Sequence, residues 1–475
     1  MNLEETLLKT YGFSSFRPGQ KEVIEKILAG QDVIALLPTG LGKSMCYQLP
    51  AHLLEGSVLI VSPLLSLMQD QVAQLKKMGE KSVTAINSFL DPQERMYVLN
   101  NLGNYRFIFV SPEMLVQPYI KKKLGEVRIA LLVADEAHCI SQWGFDFRPD
   151  YLRIAEILPA IGYPRVLALT ATATSKVTEE IKKYLKITDP FIYSHPMDRK
   201  NIAYDIRKFA NGNEKLAWLS SFVADNKGPG IIYAGTRKKS QELSGLLNLA
   251  GIRTAYYHGG MEHQDRIFVQ QQFQNGELEW VCSTNAFGMG VHIPDIRHVI
   301  HFQIPTSIEG YVQEVGRAGR DGSPALATLL YAKGDEELLQ SLILDDLPTR
   351  NEIREIYQSG DNSAQLVEMG IVRETSLKVV SYWKNLISEK ETMHQIEQQK
   401  IEKIRQADKI RKLVEINSCI REYLVESFDQ KLEDKPPNCC VNDGLDYNRI
   451  LEIRNKVVIE IPETWESRLQ AILSC

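Results

Sequence analysis

Val33-Ile34-Ala35-Leu36-Leu37-Pro38-Thr39-Gly40-Leu41-Gly42-Lys43-Ser44 opens as an apolar run, halts at a proline and continues as a glycine-rich loop ending in lysine and serine. A short apolar run bounded by Pro and Gly reads as a buried strand, and the residues after Ser44 read as a helix. Strand, loop and helix in that order are the context a phosphate cradle needs. Glycines let backbone N–H groups face phosphate oxygens, Lys43 reaches the terminal phosphates, and the Ser44 hydroxyl suits Mg²⁺. Thr39, Gly40, Gly42, Lys43 and Ser44 are therefore the expected nucleotide contacts, with an accidental glycine-rich turn as the alternative. The full consensus has glycine at position 37, where this chain has Leu37.

Around this segment, short apolar runs at 33–37, 58–62, 107–110, 130–134 and 166–169 alternate with amphipathic stretches, the pattern of a parallel sheet wrapped by helices. A second set follows at 230–233, 254–257, 280–282, 298–301 and 327–331. Two α/β domains are expected, spanning 1–195 and 196–340 and joined near 194–199, with a helical region over 341–475. Within that region the Glu/Lys/Gln-rich stretch 388–412 carries Met393, Ile396, Ile401, Ile404 and Ile410 at near-helical spacing and reads as a helical hairpin with a solvated charged face.

Asp135-Glu136-Ala137-His138 closes the run 130–134, so its acids should emerge at the carboxyl edge of the first sheet, beside the phosphate loop. Asp135 is expected to hold Mg²⁺, directly or through water, and Glu136 to orient the attacking water, because phosphoryl transfer is chiefly positioning and charge stabilisation. Gly316-Arg317-Ala318-Gly319-Arg320-Asp321-Gly322 supplies two guanidinium groups from the second domain. Arg317 and Arg320 are candidate arginine fingers for the γ-phosphoryl charge, and either could instead be a structural salt-bridge partner.

The chain has 475 residues, 44% of them hydrophobic, enough for two or three cores. No apolar run reaches membrane-spanning length, and residues 1–10 carry Glu4 and Glu5 where a secretory segment would be basic and then apolar; a soluble, intracellular protein is expected. A net charge of −5 confines any nucleic-acid contact to a groove or loop set. Seven cysteines in this length make no disulfide scaffold; Cys46, Cys139 and Cys282 read as small core residues, and Cys419, Cys439 and Cys440 cluster.

In their order and wording across 11–331, these pieces closely resemble the RecQ family of DNA helicases. Tyr11-Gly12-Phe13 and Phe16-Arg17-Pro18-Gly19-Gln20 resemble the family's motif 0, which implies adenine recognition by Gln20 with Arg17 nearby. Thr170-Ala171-Thr172-Ala173-Thr174 is similar to helicase motif III. Ser62-Pro63-Leu64, the segment 66–71 with Gln69, and Ser111-Pro112-Glu113 resemble the strand-contacting motifs of the first lobe. Tyr233-Ala234-Gly235-Thr236-Arg237, His258-Gly259-Gly260-Met261 and Ala286-Phe287-Gly288-Met289-Gly290 resemble those of the second. The stretch 139–151 resembles the aromatic-rich loop that distinguishes RecQ from other helicases. There Trp143, Phe145 and Phe147 offer faces for unpaired bases, and Arg148 can meet phosphate.

The resemblance implies two RecA-like lobes in tandem, ATP and Mg²⁺ between them, single-stranded and forked DNA as substrate, 3′ to 5′ movement, and a role in recombination and repair. It also implies a bacterial cytoplasmic, nucleoid-associated setting, with single-stranded-DNA-binding protein as a partner. Two positions depart from the family: Phe145 replaces the usual histidine and keeps stacking without a titratable ring, and Val291-His292 replaces Ile-Asp, losing an acid. RecQ proteins typically carry a four-cysteine zinc module after the motor. Cys419, Cys439 and Cys440 resemble it, with Asp443 where the last cysteine would come; adjacent cysteines rarely share one tetrahedral ion, so a degenerate, metal-free module is the alternative. The stretch after Cys440 is too short for a full winged helix and a further C-terminal domain, as in short bacterial members. An RNA helicase would use the same ATP residues, and a DNA-stimulated clamp would hydrolyse ATP yet leave forked duplex intact.

Overall fold

A computed structural model describes residues 2–452 except 39, 64, 88–89, 142–148, 172, 288–292, 294, 346 and 360–362. The first sheet is built from β1 (Val33–Leu36), β2 (Ser57–Val61), β3 (Val83–Ile86), β4 (Phe107–Val110), β5 (Ile129–Ala134), β6 (Arg165–Thr170) and β7 (Phe191–Ser194). Its strands lie in the order β3-β4-β2-β5-β6-β1-β7 and pair in parallel. The second sheet comprises β8 (Ile202–Phe209), β9 (Gly230–Tyr233), β10 (Thr254–Tyr257), β11 (Trp280–Ser283), β12 (His298–His301) and β13 (Ala325–Ala332), in the order β10-β11-β9-β12-β13-β8, also parallel.

The two-domain α/β expectation holds because the central strands are nearly unbroken apolar runs. Phe107, Ile108, Phe109 and Val110 all lie at or below 1% exposure, which only a sheet covered on both faces allows. Each sheet accordingly separates two cores, one on either face. Three strands fall outside the expected runs. The strands β3 and β7 are edges with exposed or polar positions, and β8 alternates apolar with charged side chains along Ile202–Phe209, so none reads as a continuous apolar run.

Beyond β13 the regular elements among the described residues are helices, followed by irregular chain over 427–440. The expected hairpin over 388–412 is instead one helix, Glu389–Glu415, of 27 residues. It contains no Gly or Pro to turn it, and a capping box between Ser388 and Glu391 fixes its start. The helices of 347–396 share a small core around Ile353, Ile356, Val379 and Val380. The end of the long helix, with Ile410 and Leu413, joins Cys419, Ile420 and Leu424 in the core of the second sheet. No helix among the described residues is long and apolar enough to cross a membrane.

Candidate nucleotide cleft between the two sheets

The strands β5, β6 and β1 are neighbours, so the acids after Ala134, the Thr170 segment and the loop after Leu36 emerge side by side at one sheet edge. In parallel α/β sheets that carboxyl edge is where ligands bind. Gly40 and Gly42 adopt left-handed backbone, with φ of +94° and +71°. Close neighbours add to that requirement: a Cβ on Gly42 would meet Gln20 Nε2 at 3.0 Å, and one on Gly40 would meet Arg320 Cγ at 3.4 Å. Gln20 Nε2 donates to the carbonyls of Leu41 at 2.9 Å and Gly42 at 3.0 Å, while Arg17 donates to Gly40 O. Arg17 and Gln20 thus brace the phosphate loop itself. Thr39 lies outside the described residues, and Ser44 directly precedes the helix Met45–Ala51 without a side-chain capping bond.

Lys43 Nζ reaches Glu136 Oε1 at 3.1 Å, with both side chains largely buried. Glu136 has a left-handed φ of 48°, an unusual state for a residue with a Cβ. His138, wholly buried, places Nδ1 at 2.8 Å from Thr170 Oγ1 and at 3.4 Å from Glu136 Oε2. Asp135 accepts from the Glu136 backbone N–H at 3.0 Å, and its own carbonyl accepts from the Tyr151 hydroxyl.

Burial, followed by repulsion from Glu136, lifts the Asp135 carboxyl to about 7. Burial would raise Glu136 too, but Lys43, His138 and Arg317 together hold it below its usual value. Burial lowers His138, against an opposing pull from Glu136. Two adjacent buried carboxylates, one of them with a buried oxygen, Oε2, that makes no hydrogen bond, form a hard oxygen donor set short of positive charge. Together with the Ser44 hydroxyl, that set fits Mg²⁺.

Arg317 and Arg320 follow the helix Ile308–Val315, and Arg317 is 4% exposed. Arg317 acts electrostatically on Glu136, and Arg320 packs on Gly40, so the second sheet's arginines face the first sheet's phosphate loop. Burial and then Arg317 lower Arg320 to about 10. The expected arginine pair is therefore brought to the cleft.

The strand-contact candidates fall at the same sheet edges. Ser62, 1% exposed, follows β2, and Gln69 lies on the helix Leu65–Lys77. In the second lobe Arg237 opens the helix Arg237–Leu249, and His258 follows β10, its Nε2 at 3.0 Å from Gln241 Nε2 and its ring stacked on Tyr256 at 5.5 Å. Burial and then Arg237 lower His258, and a Cβ on Gly260 would strike Arg237 Nη1 at 2.6 Å. Trp143, Phe145, Phe147, Arg148 and His292 lie outside the described residues.

At the other end of the chain, the ligand atoms of Cys419, Cys439, Cys440 and Asp443 all lie within 4.8 Å of one another. Cys419 Sγ is 3.4 Å from Cys439 Sγ, against about 3.8 Å for two thiolates on one tetrahedral zinc ion. The hydrogen bond from Cys439 holds the Cys440 thiol down to about 6, and Asp443, hydrogen-bonded by Cys419 and Cys440, is held at about 2. Three thiols and a carboxylate at this spacing fit zinc, and the adjacent cysteines both point into the cluster.

Sequence reasoning missed Arg199 and Arg421. Arg199 Nη2 donates to the carbonyls of Ala318 at 3.2 Å and Gly319 at 2.6 Å. Its position within the expected lobe junction was the one available signal. His138 and Thr170 sat inside quoted motifs, but nothing in the sequence paired them.

The model for "DEAD/DEAH box helicase" matches residues 17–181, and that for "Helicase conserved C-terminal domain" matches 214–322. The chain is 41% identical to the probable ATP-dependent DNA helicase RecS of Bacillus subtilis, over 99% of this chain and 98% of that protein. It is 39% identical to the ATP-dependent DNA helicase RecQ of Pasteurella multocida over 72% of this chain, which spans 54% of that longer protein. Among solved structures it resembles the Mycobacterium smegmatis helicase Lhr bound to ssDNA and AMP-PNP, with TM-score 0.59 and 20% identity over 77% of this chain and 53% of that one. The DEAD-box helicase Mss116 bound to ssRNA gives TM-score 0.61 at 18% identity over 82% of this chain and 90% of that one, a likeness of fold.

Proposed function

The chain belongs to the RecQ family of ATP-dependent DNA helicases, which couple ATP hydrolysis to DNA strand separation, and from that premise we propose that it moves 3′ to 5′ along single-stranded DNA in recombination and repair. The observation that carries the reading is Glu136, held between Lys43 of its own lobe and Arg317 of the other. Lys43 and the loop 40–44 bind the phosphates, and Arg17 and Gln20, which brace that loop, would recognise the adenine when the nucleotide is bound. Mg²⁺, held by Ser44 and Asp135, would neutralise phosphate charge. Glu136 accepts a proton from the attacking water while Arg317 and Arg320 stabilise the charge that develops on the γ-phosphoryl group. Loss of that group would release the arginines and let the lobes part, so that alternating grip by Ser62 and Gln69 on one side and Arg237 and His258 on the other moves the strand. Trp143, Phe145, Phe147 and Arg148 would couple strand occupancy to Glu136. Forked DNA and single-stranded-DNA-binding protein are the expected partners, in a bacterial cytoplasm.

We further assign Zn²⁺ to Cys419, Cys439, Cys440 and Asp443 as a structural ion. One zinc per chain by metal analysis, lost in Cys439→Ser, is the expected result; a purified chain that folds and binds DNA with no zinc removes this assignment.

Steady-state ATP hydrolysis with single-stranded DNA, with matched RNA and with neither tests the main reading. DNA-specific stimulation, abolished by Lys43→Ala and lost in Trp143→Ala while basal turnover persists, supports it. Equal stimulation by RNA, or none by DNA, overturns it, and strong stimulation with intact forked duplex would reduce it to a clamp.

A further inference from the structure

We infer that Arg199 and Arg421 are positioning residues that pin the turn bearing Arg317 and Arg320, so that the C-terminal module sets how well the cleft hydrolyses ATP. The inference rests on the assignment of those two arginines to the cleft.

Arg421 lies on the helix Ile420–Glu426, directly after Cys419, and has no exposed surface. Its guanidinium reaches the segment joining the lobes: Nη1 bonds to the Asp198 carboxylate and to Arg199 O at 3.0 Å. Nη2 bonds to Ile202 O and to Cys439 O at 3.4 Å, and the group stacks over Tyr204 at 5.0 Å. One side chain therefore ties the cysteine cluster, the inter-lobe segment and the first strand of the second sheet.

The next residue in that segment carries the tie onward. Arg199 spans three carbonyls of the arginine-bearing turn: Gly316 at 3.4 Å, Ala318 at 3.2 Å and Gly319 at 2.6 Å. Asn201 Nδ2 adds a bond to Gly319 O at 2.8 Å, where the backbone is left-handed at φ +54°. A planar fork of donors suits such a fan of carbonyls, and a lysine ammonium cannot span it. The same module also grips the first lobe, because Asp429 Oδ2 accepts from Ser175 N at 3.0 Å and from Ser175 Oγ at 2.8 Å, at the residue that directly follows the Thr170 segment. Misplacing a catalytic group by about 1 Å can cost about 100-fold in rate, so a tie on the turn's backbone is a lever on turnover.

The test uses the full chain with saturating single-stranded DNA, reading kcat, the KM for ATP, and affinity for ADP with and without aluminium fluoride. Arg199→Ala should lower kcat about 10- to 100-fold and weaken the ADP–aluminium fluoride complex in step, leaving KM and ADP affinity within about threefold. Arg421→Lys keeps the buried charge but not the fork and should lower kcat about fivefold; Asp198→Asn reads the same link if that variant does not fold. A merely structural role would instead lower the folded fraction and leave kcat per folded molecule unchanged, which overturns the inference. Arg317→Ala and Arg320→Ala separate the two levels. If they abolish turnover while Arg199→Ala matches the parent, only the pin fails; if both retain parental kcat, the cleft reading falls and takes the pin with it.

Discussion

Among the described residues each lobe holds one largely buried lysine–carboxylate pair, and the two are opposite in character. In the second lobe Lys215 Nζ lies 2.6 Å from Asp335 Oδ2 and 4.7 Å above the Phe302 ring, and the same carboxylate accepts from Ala332 N at 2.9 Å. Lys215 is lowered by burial and supported chiefly by Asp335. In the first lobe Lys43 and Glu136 stand 3.1 Å apart, but Glu136 has a left-handed φ, a buried oxygen without a hydrogen bond and a second carboxyl, Asp135, lifted to about 7 beside it. A pair with its partners in place holds the fold, whereas a pair left short of positive charge is poised for a ligand.

Glu136→Gln would break this contrast most sharply. It should lower DNA-stimulated kcat by about 1,000-fold, the scale of a lost group acting in the transition state, while leaving the melting temperature little changed, since the charge that Lys43 stabilises also repels the neighbouring Asp135. Steady-state kinetics beside a thermal melt read both, and a variant that melts early would place Glu136 with the structural pairs. Lys215→Met should do the reverse. Stranding the largely buried Asp335 should cost about 3 kcal/mol in denaturant unfolding, with kcat per folded molecule unchanged. A loss of turnover without a loss of stability would reverse the assignment of the two pairs.

The first lobe's pair was legible in the sequence and the second's was not. Lys43 and Glu136 lie in stretches whose composition declares them, a glycine-rich loop after an apolar run and acids at the end of another. Lys215 and Asp335 open two ordinary helices, and only the fold brings them together. The same holds for Arg421, whose partners Asp198, Arg199 and Ile202 stand more than two hundred residues earlier. Periodicity found the covered central strands and missed β3, β7 and β8, which lie at edges or alternate in character. Over 388–412 the sequence suggests a hairpin because dense charges obscure one continuous pattern, whereas the helix Glu389–Glu415 contains no Gly or Pro and runs unbroken.

A further buried acid sharpens the distinction at smaller scale. Glu352 completes the capping box with Thr349 and accepts from Arg373 through Nε at 2.8 Å and Nη2 at 2.7 Å. Burial would raise its pKa, but the hydrogen bonds led by Arg373 hold it at about 2, below its ordinary 4.5. For an acid with a depressed folded value, the stabilisation is complete above the unfolded value and fades as the pH falls from about 4.5 towards 2. The full shift would correspond to about 3 kcal/mol, and the 40% exposure of Arg373 screens it to about 1–2 kcal/mol. Glu352→Gln should therefore lower unfolding stability by that amount at pH 7 and by progressively less between pH 4.5 and 2.5, with ATP turnover unaffected. A deficit that stays constant across that range would mean that lost packing and helix capping, rather than charge, account for the acid's contribution, and that Glu352 belongs with neither lysine pair.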